Sequence, residues 1–68
     1  MPSNAPAYAL IMLNRHNDTG QTKFNTTDIG MDDSAWRDLE TLGIIGKQDI
    51  AGNTTFNPIA ARHFLKLD

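Results

Sequence analysis

Apolar residues in this chain gather into short clusters divided by polar stretches, and the spacing inside each cluster assigns it an element. The first is the unbroken run Tyr8-Ala9-Leu10-Ile11-Met12-Leu13. Ser3 or Asn4 can cap a helix ahead of it, and Pro6 is tolerated in a first turn. The pattern predicts a helix from Ala5 to Asn14 or Arg15, after a loose arm over residues 1–4. A strand is the competing reading for so short a run, but the alanines and the early proline favour helix. The run has no clean polar side, so this helix is expected to be buried on several sides. The polar stretch from Asn14 to Gln21, with Gly20, is expected to end it.

Thr22-Lys23-Phe24-Asn25 suits a short extended piece with Phe24 facing inward. Thr26 or Thr27 can cap a very short second helix, with Asp28 in its first turn and Ile29-Gly30-Met31 closing it, Gly30 weakening it. The clearest helix follows an N-cap at Asp32 or Asp33. Ala35, Trp36, Leu39 and Leu42 make one apolar stripe, and Gly43 stands where a left-handed cap wants glycine. That cap would bring Leu39 and Ile44 into contact. Ile44 to Ile50 and Thr54 to Phe56 then flank Ala51-Gly52-Asn53 as a hairpin. A two-residue turn would pair Ile50 with Thr55. A three-residue loop would pair Ile50 with Thr54 and put Ile44, Ile50 and Phe56 on one face. The second register is preferred. Asn57-Pro58 starts a last helix, Asn as cap and Pro at the first helical position, with Ala60, Phe64 and Leu67 as its stripe and Ile59 alongside.

Composition narrows the class. Sixty-eight residues make at most one domain, and 40% hydrophobic content suits a small core rather than a disordered chain. Valine is absent, so the chain leans on Ala, Leu and Ile and favours helix over sheet. Cysteine is absent too, which excludes disulfides and Cys-ligated zinc. Such a core must do without staples or share surface with a second chain, so a homodimer is expected, with Tyr8, Ile11 or Met12 near its interface. The longest apolar run is far too short for a membrane span. A signal peptide would place Lys or Arg before that run, yet Arg15 is the first basic residue, and Pro2 stands where N-myristoylation needs glycine. The expectation is a cytoplasmic protein with no membrane partner.

The expected order is helix, short strand, short helix, helix, hairpin, helix, an α+β class that is mostly α. It resembles a winged helix-turn-helix domain of the kind found in small bacterial and phage-type transcriptional regulators. Trp36-Arg37-Asp38-Leu39-Glu40-Thr41-Leu42-Gly43-Ile44-Ile45 is similar to the end of a recognition helix running into the wing. Phe56-Asn57-Pro58 resembles the step from the wing into the next helix, and Ile29-Gly30-Met31 the turn before the recognition helix. The likeness covers roughly residues 22 to 65.

What the resemblance implies is a DNA-binding regulator, a transcription or recombination accessory factor, with duplex DNA as partner and no cofactor. Lys23 on the short strand beside the wing, Lys47 on the first wing strand, Arg15 at the end of the first helix and Arg37 on the third helix are its basic candidates. Thr41, Gln48, Asn53 and Thr54 could add hydrogen bonds, as could Asn25. One feature departs from the family pattern. On the third helix Asp32, Asp33, Asp38 and Glu40 stand against Arg37 alone, a local charge of −3. DNA repels such a helix unless it is held off the phosphates. The alternative is therefore a protein-interaction module without DNA binding, in which Asp33, Asp38 and Glu40 meet a basic protein partner. Net charge, −2, is not that of a non-specific nucleic-acid binder. No catalytic or metal site is expected, because His16 and His63 lie far apart near helix ends and no nucleophile–base arrangement or phosphate loop is visible. Trp36 could be an exposed anchor, but its place on the stripe favours core.

Overall fold

A computed structural model describes residues 4–67; most of the arm expected over Met1–Asn4, and the last residue, Asp68, lie outside the described residues. The element order is α1 (Ala5–Thr19), β1 (Lys23–Asn25), α2 (Thr26–Ile29), α3 (Asp33–Thr41), β2 (Asn53–Thr55) and α4 (Pro58–Leu65). The class is α+β, mostly α. No helix among the described residues is long and apolar enough to cross a membrane.

α1 runs one turn beyond the expected end. Its polar segment Asn14–Thr19 contains no helix breaker, and the helix continues to Gly20, where φ turns to 76°. Polarity marks where α1 leaves the core, not where it stops. Nor is it buried on several sides. Ala5, Ala9, Met12 and Leu13 face the core, while Leu10 and Ile11 point to solvent. The molecule is a slab 17 Å thick in its shortest direction, so each helix has one covered face and one open one. Met12 is fully buried, which removes it from any dimer interface. Tyr8 packs against the core and donates its hydroxyl to Gly30 O at 3.1 Å, tying α1 to the turn before α3.

α3 ends at the glycine the spacing predicts, although Leu42, expected on its apolar stripe, follows the last helical residue and is exposed. Gly43 takes φ 77°; its N–H donates to Glu40 O at 3.1 Å, and Ile44 N–H reaches back to Leu39 O at 2.9 Å. This double bond pattern closes the helix, and Leu39 and Ile44, both fully buried, make the accompanying apolar contact. α4 starts as expected too: Asn57 Oδ1 accepts from Ile59 N–H and Ala60 N–H, with Pro58 in the first turn. Its buried position is Ala61, however, with Ala60, Phe64 and Leu65 partly covered; Ile59 and Leu67 are exposed. The stripe shifts because the helix ends at Leu65 and Lys66 turns left-handed at φ 59°, so Leu67 leaves the helical face.

The two strands are distant in sequence. β1 pairs antiparallel with β2 in the register Lys23 with Thr55, Phe24 with Thr54 and Asn25 with Asn53. The segment after Ile44 lies along the other side of β2. Ile45 bridges Phe56, and Gly46 N–H donates to Thr55 O at 2.9 Å. Neither anticipated hairpin register forms. Beyond Gly46 the chain leaves the ladder and forms an apical loop, residues 46–52, in which Ile50 is fully exposed rather than beside Phe56. Phe24 and Phe56, both buried, meet edge to face at 5.5 Å, and His16 of α1 stands 6.2 Å from the Phe56 ring. Trp36 and Phe64, expected in the core, are half-buried against it.

Candidate nucleic-acid interface

β1, β2 and the start of the apical loop frame an open depression of about 730 Å³. Lys23 comes from β1 and Lys47 from the loop; 24 positions apart in sequence, they line the same concavity. Gln21, Asn25, Asn53 and Thr55 supply further polar lining, and Asp28 and Asp49 place two carboxylates in it. The sheet register produces this meeting, because Lys23 lies opposite Thr55 and Gly46 bonds to the far side of the same Thr55.

The loop is fixed by side chains that leave regular pairing to do so. Asp49 Oδ1 accepts from Asn53 N–H at 2.9 Å, and Asp49 O accepts from Gly52 N–H at 3.0 Å. The Asn53 backbone N–H foremost, then its side chain, hold the Asp49 carboxyl below the usual carboxylate range. Asn25 works in two directions. Its Oδ1 caps α2 by accepting from Thr27 and Asp28 N–H groups, and its Nδ2 donates to Ala51 O and Asn53 Oδ1, each at 2.9 Å. Asn25, not Thr26 or Thr27, is therefore the α2 cap. Thr26 is buried: its N–H donates to Gly52 O at 2.9 Å and its hydroxyl to Gln48 Oε1.

These bonds sort the sequence-derived candidates. Lys23 and Lys47 are exposed and share the depression. Gln48 and Asn53 are engaged in holding the loop. Thr54 is buried and donates its hydroxyl to Gly46 O at 2.6 Å, so it has structural work and no exposed face to offer a phosphate. Arg15, on α1, and Thr41, which donates to Arg37 O at 2.9 Å, do not line the depression. Arg37 lies over the Trp36 ring, 5.4 Å from its centroid. Asp33 Oδ1 accepts from Trp36 Nε1 at 3.2 Å, and Asp38 and Glu40 follow on the same helix. Gln21, Asp28, Asp49 and Thr55 were not singled out from sequence. Asp49 had a readable signal, the Asp-x-x-Gly-Asn spacing of a side-chain-closed turn.

A second, smaller depression of about 410 Å³ adjoins the first and shares Asp49 with it. It lies between α3 and the apical loop and is lined by Met31, Asp33, Trp36, Gln48 and Ile50 among others. Among the described residues, no group of three His, Asp or Glu side chains could hold a metal ion. No protein-family model matches the chain, and comparison with curated proteins and with solved structures gives no match.

Proposed function

We propose that the chain is a small winged-helix DNA-binding regulator that approaches duplex DNA through its sheet and apical loop, the loop serving as the wing. The observation that carries this reading is the convergence of Lys23 and Lys47 on one open concavity. The element order, helix, strand, short helix, helix, loop, strand, helix, supports it as well. In this account α3 does not enter the major groove, because its acids would meet phosphates. Two phosphate contacts per chain correspond to a log–log salt slope of about −1.8, roughly a twelve-fold loss of affinity between 50 and 200 mM salt. Pairing of two copies belongs to the same reading, since Leu10 and Ile11 present exposed apolar surface on α1.

The test is fluorescence anisotropy on labelled duplex DNA at about 50 mM salt. Lys47→Glu is expected to weaken binding uniformly across sequences, and Asp28→Asn to strengthen it by removing a negative charge that repels the phosphates beside the lysines. Binding that ignores both substitutions would remove the reading. The protein-interaction alternative would then lead, with Asp33, Asp38 and Glu40 as the residues to replace.

A further inference from the structure

We propose that the depression between α3 and the apical loop is a docking groove for a cationic amphipathic segment of a partner protein. Its apolar part is Met31, the half-buried Trp36 ring and the fully exposed Ile50. A single exposed isoleucine is ordinary surface. Here, however, it shares a concavity with the only tryptophan of the chain. The charged lining residues are Asp33 and Asp49, with no Lys or Arg among them. Asp32 before α3 adds negative charge from the flanking element, and the basic side chain of α3, Arg37, stacks on Trp36. Acids around an apolar floor repel phosphates and attract a segment that alternates Lys or Arg with Leu-like anchors, the pattern of a helix laid in a groove.

The loop that carries Ile50 is ordered before any partner arrives. Asn25 holds Ala51, Thr26 holds Gly52, and Asp49 holds both Gly52 and Asn53. Binding there pays little for ordering the loop, which is what makes a fixed exposed anchor effective. The groove's apolar anchors Trp36 and Ile50 do not line the Lys23–Lys47 depression, so the inference does not rest on the DNA reading, although Asp49 lines both.

Trp36 provides a local readout. Its emission is followed while the protein is titrated with a tryptophan-free helical peptide of Leu and Lys, and in parallel with the same peptide carrying Glu for Lys. The Leu/Lys peptide is expected to give a saturable blue shift and the Leu/Glu peptide none. Ile50→Ser, at a fully exposed position where circular dichroism should be unchanged, is expected to weaken binding about tenfold or more. Asp33→Asn is expected to weaken it and flatten its salt dependence. No shift, an equal shift with the acidic peptide, or indifference to Ile50→Ser would overturn the proposal. A shift of the protein alone with concentration would assign the groove to a second copy, and a shift with duplex DNA would assign it to nucleic acid; either overturns it.

Discussion

Two glycines with positive φ separate two costs that an added methyl can carry. Gly43 has φ 77° and open space where a Cβ would stand, so Gly43→Ala pays only the left-handed conformation, about 1 kcal/mol. Gly52 has φ 89°, and its Cβ would lie 3.0 Å from Thr26 Oγ1 and 3.1 Å from Thr27 Oγ1. Gly52→Ala must add crowding to strain and is expected to lower Tm more than Gly43→Ala in the same melting series. Asp49 supplies a pH dependence. Its folded-state pKa is depressed, so its contribution is complete above the ordinary aspartate value of about 3.9 and is lost as pH falls through the lower folded value. In an acid titration by NMR, the Asn53 amide is expected to shift with a midpoint below about 3.9; a midpoint at or above that value would show that the Asp49–Asn53 contact does not form.

At the scale of elements, α3 and α4 were legible where local chemistry has one solution. Gly43 shortly after the buried Leu39 admits little but a left-handed cap, and Asn57-Pro58 little but a helix start. Leu39→Ala, at a fully buried position, is expected to cost about 2–5 kcal/mol. Asn57→Ala removes the acceptor of two N–H groups and is expected to cost about 1 kcal/mol. Chemical denaturation of both variants checks the ranking. The apical loop was not legible, because alternation presumes that each residue serves a ladder. Gln48 instead serves Thr26, and Asp49 serves Asn53. The α2 cap was ambiguous for a related reason: Asn25, Thr26 and Thr27 can all cap, and only the position of the loop gives Thr26 other work. The nearness of Lys23 to Lys47 was legible only through the family resemblance, which sets the short strand beside the wing; the register that brings them together depends on β1 pairing with β2 across 28 residues, measured Asn25 to Asn53.

Across the whole molecule, the two adjoining depressions differ in charge, the first setting Lys23 and Lys47 beside Asp28 and Asp49 and the second lined by Asp33 and Asp49, and the account rests on which of them faces DNA. Self-association through α1 is a separate matter. Sedimentation is expected to show a dimer that Ile11→Asp returns to monomer, and a wild-type monomer at high micromolar concentration would exclude the pairing. The central claim concerns the lysines. Its most direct test is a two-dimensional amide NMR titration of the full chain with duplex DNA at about 50 mM salt. The account predicts shifts concentrated over residues 21–25, 46–49 and 53–55, with the exposed face of α3 little changed. Shifts centred on residues 33–41, or no shifts anywhere, would contradict it.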